Sequence, residues 1–226
     1  MDTKDPHYLG HRMRLRERFL KGPESLADYE ILELILFGAS ARKDVKPLAK
    51  TLLKEFKSLA GVFSASPEKL KKIPDVGDTT LSTLYVIKES LARVLREDLQ
   101  KSSLIDNTHK VINYCKTLMA HLDVDHFRLL FLDTKGGLIA DELQQKGTVD
   151  HAILYPREIV KRALELGAAS LIMVHNHPSG YTTPSQGDKD ITQRVKSIAH
   201  DMGIRLLDHF IIGKYEWFSF RGQGWL

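Results

Sequence analysis

Three side chains that can bind a metal ion lie close together in the segment VHNHPSGYTTPSQGD, residues 174–188. His175 and His177 end an apolar run, and Asp188 closes the polar segment that follows. If the run is a strand, alternate residues point to one face, so both imidazoles lie on the same side of the sheet. Zinc binds imidazole nitrogens and carboxylate oxygens, and catalytic zinc sites combine three protein ligands with water. The spacing therefore indicates a metal site.

The same segment also fits an ordinary connection between a strand and a helix. Ser185 and Asp188 have the spacing of a capping box, with the serine as N-cap and the acid three positions later. Pro178, Gly180 and Pro184 are typical of a loop. From spacing alone both interpretations stay open. They are also compatible, because a capping interaction can orient a metal ligand.

The full pattern, H-x-H, seven residues, S, two residues and D, resembles the JAMM signature of the MPN/JAB metalloprotease-like superfamily. In detail, HNHPSG followed by PS-x-x-D resembles the RadC branch, the bacterial "DNA repair protein RadC" family. The flanking segments DELQQKGT, YPREIVKRALELGAASLIMV and LLDHFIIG are similar to that branch as well. Tyr181 and Thr182 differ from the family loop, which usually has Asp-Pro there, but neither difference removes a predicted ligand.

The resemblance implies a Zn²⁺ site formed by His175, His177 and Asp188. It also implies that Ser185 hydrogen-bonds the oxyanion or the bound water, and that Glu142 is the general base. Zn²⁺ lowers the pKa of its water to about 7, and a nearby carboxylate can then remove the proton. The expected activity is hydrolysis of a peptide-type amide in a protein or peptide substrate, as in a JAMM metallopeptidase. As an alternative, the glutamate is a plain surface residue.

Asp208 and His209 form a second pair of polar residues inside the apolar segment LLDHFIIG. One interpretation of His209 is a buried polar residue that is satisfied by its surroundings. The alternative is a residue that supports a ligand histidine from behind, as the partners of metal-bound imidazoles commonly do. The sequence does not choose between them.

A second class of function comes from the N-terminal part of the chain. The segment IPDVGDTTLSTLYVI resembles a helix-hairpin-helix motif, whose tight turn exposes backbone N–H groups to a DNA phosphate. Asp75 stands where the motif usually has its first glycine, and a carboxylate there would repel phosphate. The alternative function is thus a DNA-binding accessory protein of repair or recombination with a structural or vestigial metal site. The sequence does not identify its DNA-binding residues.

The arrangement of helical and strand patterns predicts two domains. Residues 1–104 are expected to form an all-α domain with the helix-hairpin-helix-like segment, and 105–226 a metal-binding MPN/JAB (RadC) domain. The polar segment 99–106 predicts a linker. In 105–226, strands and helices interleave, and the turn signal KGG at 135–137 predicts a hairpin within a mixed sheet. The resemblance implies an α/β fold with this sheet flanked by helices, layered as in cytidine deaminases.

Composition limits the class of protein. The chain of 226 residues has 42% hydrophobic residues and a net charge of +4, which is typical of a globular protein and compatible with nucleic acid. The arginine-rich segment 11–19 predicts a solvated helix face, with a phosphate-binding face as the alternative. Cys115 is the single cysteine, and its apolar surroundings predict a buried small side chain rather than a nucleophile. Without a signal peptide or a membrane-length apolar run, a cytoplasmic protein with no membrane partner is expected.

Overall fold

The structure, a computed structural model, describes residues 7–41, 43–105, 107–147 and 155–226. The chain separates into two compact units, one up to Ser90 and one from Leu91 onward. The predicted domain boundary after residue 104 stays a prediction. None of the helices in the described ranges combines the length and hydropathy that a bilayer-spanning segment requires.

The N-terminal unit is helical, as the sequence predicted. Its helices are α1 (His7–Lys21), a 3-10 helix (Pro23–Ser25), α2 (Asp28–Ala39), α3 (Lys46–Phe56), α4 (Leu59–Ser64), α5 (Pro67–Leu70) and the first part of α6 (Asp78–Lys101). Leu32 and Leu36 of α2 are one helical turn apart and fully buried with Leu52 of α3 in the core of this unit. Ser58 begins α4 by accepting a hydrogen bond from the Gly61 amide at 3.0 Å.

The turn between α5 and α6 explains the aspartate that replaces a glycine in the hairpin-like segment. Asp75 has a φ of 66°, in the left-handed region that favours glycine and that aspartate tolerates better than most residues. Its carboxylate accepts a hydrogen bond from Lys43 Nζ at 2.9 Å. The hairpin therefore keeps a glycine-like backbone while presenting an ion pair.

The C-terminal unit contains a mixed sheet. Its described strands are β1 (His126–Leu132), β2 (Leu138–Lys146), β3 (Ser170–Asn176), β4 (Arg205–Ile212) and β5 (Trp217–Ser219), in the spatial order β2-β1-β3-β4-β5. β3 and β4 are parallel, whereas β1 is antiparallel to both β2 and β3, and β5 is antiparallel to β4. Gly136 turns the β1–β2 hairpin with a φ of 82°. The predicted hairpin and mixed sheet are confirmed.

Helices cover both faces of this sheet and give the predicted α/β layers. α7 (Thr108–Met119) packs on the face that carries Leu130 and Leu132 of β1. α8 (Pro156–Glu165) and α9 (Gln186–Asp201) pack on the opposite face, which carries Phe127 and Leu129. The alternation along β1 follows from the two-residue period of a strand. The face of α8 and α9 is the one that carries the candidate site.

The segment that was predicted to be a linker begins as a helix. α6 continues to Lys101, because Leu95 and Leu99 pack into the core that α7 shares with the sheet. The polar side chains of 99–106 therefore mark the end of a helix, and the prediction of a linker from residue 99 was wrong for its first three residues.

Candidate metal centre

Two predicted ligands, His175 and His177, lie at the carboxyl end of β3. This strand lies between β1 and β4 in the sheet, and every residue of β3 is buried. His175 is 1% exposed and stacks on Phe127 of β1, with ring centroids 5.9 Å apart. His177 follows directly after the strand. The Nε2 atoms of the two histidines are 3.0 Å apart, so the H-x-H spacing brings both imidazoles to one point.

The third predicted ligand reaches the same point from helix α9. Asp188 Oδ1 lies 3.2 Å from His175 Nε2, and Oδ2 lies 3.6 Å from His177 Nε2. One ligand atom from each of these residues lies within 4.8 Å of the others. Asp188 is 3% exposed. The structure thus brings together three groups that could hold a metal ion, as the spacing predicted.

Asp188 is oriented by the capping box at the start of α9. Its Oδ2 accepts hydrogen bonds from Ser185 N at 2.7 Å and from Ser185 Oγ at 2.6 Å. In return, Ser185 Oγ accepts from the amide of Asp188 at 3.1 Å. Burial alone would raise the pKa of Asp188, but hydrogen bonds from the two histidines and Ser185 outweigh it and hold that pKa well below its usual range. The capping interpretation is confirmed, and the same bonds hold Asp188 where it could bind a metal ion.

The hydrogen bond on the far side of His177 shows that the donor set suits a cation. His177 Nδ1 lies 2.7 Å from the carbonyl oxygen of Tyr181, which can only accept. Nδ1 therefore carries a hydrogen, and Nε2 is the ring nitrogen that faces Asp188 and His175, where it can donate a proton or offer a lone pair to an ion. Two imidazole nitrogens and a carboxylate oxygen thus face one point, and this donor set suits zinc.

Glu142 lies on β2 and on the same face of the sheet as the histidines. It is opposite Leu129 of β1, which is opposite Met173 of β3, two residues before His175. Its carboxylate is gripped by Arg162 of α8, with Nη2 and Nε at 2.6 Å and 2.9 Å from Oε1. The Glu142 side chain is 27% exposed in this ion pair, and its role as general base stays a prediction.

Ser185 serves Asp188 in the structure. Because its hydroxyl hydrogen is donated to the Asp188 carboxylate at 2.6 Å, a bond to an oxyanion would have to replace that one. The predicted bond from Ser185 to an oxyanion or a bound water stays a prediction. The observed bond supports one predicted ligand directly.

Asp208 and His209 are adjacent on β4, so their side chains lie on opposite faces of the sheet. His209 Nε2 lies 2.9 Å from His175 Nδ1, so the supporting interpretation fits this histidine. Asp208 instead accepts from Ser219 Oγ at 2.6 Å. Burial lowers the pKa of His209 well below its ordinary value, which keeps the ring neutral. Sequence reasoning missed Thr192, whose Oγ1 lies 2.6 Å from His209 Nδ1; its position four residues after Asp188 on α9 was the available signal.

Comparison with known proteins agrees with this geometry. Residues 105–225 match the family model described as RadC-like JAB domain, and residues 8–82 match that of the UPF0758 N-terminal domain. The chain is similar to a UPF0758 protein of Ruegeria pomeroyi, with 47% identity over 223 residues that cover 98% of this chain and 100% of the relative.

Proposed function

Because the chain belongs to the family of proteins with a RadC-like JAB domain, we propose that it is a zinc-dependent hydrolase of peptide-type amide bonds. The observation that carries the proposal is the convergence of His175, His177 and Asp188, whose ligand atoms lie within 4.8 Å of one another. When bound there, Zn²⁺ supplies an acidic water and an electrophile that polarises a carbonyl. The remaining chemistry falls to side chains of this chain.

Glu142 is the proposed proton acceptor. Its place on the sheet face of the histidines, beyond β1, lets it approach a substrate that lies across the carboxyl end of β3. Arg162 limits the rotation of the carboxylate through three hydrogen bonds, two to Oε1 and one to Oε2, and a remaining lone pair can take a proton. A general base must be held within hydrogen-bonding reach of the proton that it removes.

Ser185 has two proposed roles in succession. In the resting protein it orients Asp188 through the hydroxyl bond of 2.6 Å. During amide hydrolysis, negative charge develops on the carbonyl oxygen, and a hydroxyl next to the ligands is suited to donate to it. The backbone bond from Ser185 N to Asp188 at 2.7 Å would keep the ligand in place while the hydroxyl turns.

Metal analysis and a peptide-cleavage assay test the proposal together. We expect purified full-length protein to retain about one zinc per chain, as catalytic zinc sites do, and to cleave fluorogenic peptides. The double variant His175→Ala, His177→Ala should lose both properties. His200→Ala is the matched control, because this histidine of α9 is 88% exposed in its side chain. Full zinc content in the double variant would overturn the metal site.

Glu142→Gln separates the chemistry from metal binding. It keeps the size of the side chain and an oxygen for Arg162, so zinc content should be unchanged. Removal of a general base lowers rates by about 10²–10⁴-fold. If Glu142→Gln cleaves peptides at the wild-type rate, the general base has been misassigned.

DNA binding by the N-terminal unit stays a prediction from the sequence. The hairpin presents the Lys43–Asp75 ion pair, in which both side chains are largely exposed. If the unit binds the DNA backbone, affinity must fall steeply as salt rises, because phosphate contacts release counterions. An affinity that is unaffected by salt, or by deletion of residues 1–90, would contradict DNA binding by this unit.

A further inference from the structure

A continuous chain of hydrogen-bonded groups runs behind the candidate metal centre. Thr192 Oγ1 lies 2.5 Å from the backbone carbonyl oxygen of Asp188 and 2.6 Å from His209 Nδ1. His209 Nε2 lies 2.9 Å from His175 Nδ1. Thr192 and His209 are 0% exposed and His175 is 1% exposed. This series of hydrogen bonds therefore begins at the backbone carbonyl of one predicted ligand, Asp188, and ends at the ring of another, His175.

The position of each hydrogen in this chain follows from its first member. A carbonyl oxygen only accepts, so the hydrogen between Asp188 O and Thr192 Oγ1 belongs to the threonine hydroxyl. That hydroxyl has one hydrogen and must accept from His209, which places a hydrogen on His209 Nδ1. A neutral imidazole carries one N–H, and a charged ring would be unfavourable where His209 lies, 0% exposed and stacked on Phe220. Its Nε2 is consequently an acceptor.

The last step reaches the ligand. Because His209 Nε2 accepts, the hydrogen between the two rings lies on His175 Nδ1. Nε2 is then the ring nitrogen of His175 that can offer a lone pair to an ion, and this atom faces His177 Nε2 at 3.0 Å and Asp188 Oδ1 at 3.2 Å. Only this tautomer of His175 can donate an electron pair to an ion at that point.

We propose that Thr192 and His209 are positioning residues that fix the metal-binding tautomer of His175. The proposal rests on the metal site of the proposed function, and it does not depend on hydrolysis. If the hydroxyl of residue 192 were absent, His209 Nδ1–H would be buried without an acceptor, which is unfavourable. The opposite tautomer of His209 would then donate from Nε2, and His175 would carry its hydrogen on Nε2, towards the ion.

Two substitutions at position 192 separate the hydroxyl from the packing. Thr192→Val keeps the shape of the side chain and removes the hydroxyl, whereas Thr192→Ser keeps the hydroxyl and removes the methyl group. Loss of a group that supports a ligand histidine weakens metal binding by about 10–100-fold. In a competition with a chromophoric chelator, we expect that loss of zinc affinity for Thr192→Val and nearly wild-type affinity for Thr192→Ser.

Nitrogen-15 NMR of the metal-free full-length protein tests the tautomers directly, with or without catalysis. In the wild type, His175 and His209 should both show the hydrogen on Nδ1, and in Thr192→Val both should show it on Nε2. A wild-type His175 without a hydrogen on Nδ1 would overturn the proposal, even if Thr192→Val does not fold. Equal zinc affinity in Thr192→Val and wild type would overturn it as well. Zinc binding and tautomers as expected, without peptide cleavage, would support the positioning role while ending the hydrolase proposal.

Discussion

Ser185 and Asp188 bind each other in both directions at the start of α9. The serine hydroxyl donates to the carboxylate at 2.6 Å and accepts from the aspartate amide at 3.1 Å. One pair of residues thus caps the start of the helix and orients a candidate metal ligand. A change at the cap should therefore be felt in helix stability and in metal affinity together.

Ser185→Ala is expected to show both effects. Loss of an N-cap serine costs about 1 kcal/mol of stability. Asp188 also loses the hydroxyl that holds Oδ2, so zinc affinity should fall by about tenfold or more, as for other groups that orient a ligand. Urea unfolding and chelator competition measure the two effects.

Ser58→Ala is the matched control for that experiment. Ser58 caps α4 with a hydrogen bond of 3.0 Å to Gly61 N and lies in the N-terminal unit. Its loss should lower the stability of that unit by a similar amount and leave zinc affinity unchanged. If Ser185→Ala binds zinc as tightly as Ser58→Ala does, the cap has no part in holding the ligand.

Asp141→Ala is predicted to destabilise the C-terminal unit strongly. Arg128 Nε and Nη2 grip the Asp141 carboxylate at 2.8 Å and 2.9 Å, and Tyr114 Oη donates to it at 2.5 Å. Removing one partner of a buried pair leaves the other charge uncompensated and costs about 3–5 kcal/mol. Because Arg128 keeps partial access to water, the lower end is expected. Urea unfolding of the unit measures it.

The bonds from Arg128 and Tyr114 to Asp141 also affect the candidate site. Asp141 precedes Glu142 on β2, so their side chains point to opposite faces of the sheet. A shift of β2 by one residue would exchange its two faces. By fixing the register of β2 against β1, the ion pair between Arg128 and Asp141 also keeps Glu142 on the side of the histidines. Glu158→Ala is the control, since its pair with Arg157 is exposed and such pairs contribute about 0–1 kcal/mol. If Asp141→Ala and Glu158→Ala lost the same stability, the ion pair between Arg128 and Asp141 would not be what fixes the register of β2.

Local spacing predicted much of this molecule. The H-x-H pair and the following acid converge because a strand end and a helix start are joined by a short loop, and the spacing records that. The hairpin at 135–137 likewise carries its turn signal in the sequence. Fold class and the three candidate ligands were therefore readable before the structure.

Contacts between distant elements were not readable from spacing. Arg12 was predicted on a solvated face, yet it is 7% exposed and donates to the carbonyl oxygens of Ser40 and Ala41 after α2. The hydrogen bond between His175 and His209 depends on β3 and β4 lying side by side, which follows from the sheet order. The sequence contains both residues of each contact, but it does not show that they lie next to each other in the fold.

Acid should weaken the N-terminal unit through Glu30. Hydrogen bonds from Arg18 lower the pKa of this glutamate below its ordinary 4.5. A lowered folded pKa means that the stabilisation is present above pH 4.5 and is lost as pH falls through the folded value. Amide hydrogen exchange of α2 should show the advantage of wild type over Glu30→Gln at pH 7 and little advantage near pH 3.

A double-mutant cycle identifies the partner in that effect. In an Arg18→Gln background, Glu30→Gln should change the pH dependence of exchange in α2 much less, because the bond at 2.8 Å is lost and only the weaker influences of the Ala27 amide and Lys46 remain. A pH-dependent difference of undiminished size in this background would assign the effect to another group.

Cys115 should report metal binding through its rate of alkylation. Its side chain is 0% exposed in the core under α7, and burial raises the pKa of its thiol well above the ordinary value. Iodoacetamide should therefore react only when the C-terminal unit opens, whereas an added thiol at the exposed position Ser197 (Ser197→Cys) should react at once.

A ligand at 100 times its Kd stabilises the folded state by about 2.7 kcal/mol, which lowers the open population by about 100-fold. Zinc at that ratio should slow labelling of Cys115 accordingly and leave residue 197 unaffected. Zinc that protects Cys115 equally in the His175→Ala, His177→Ala variant would show that the ion binds elsewhere.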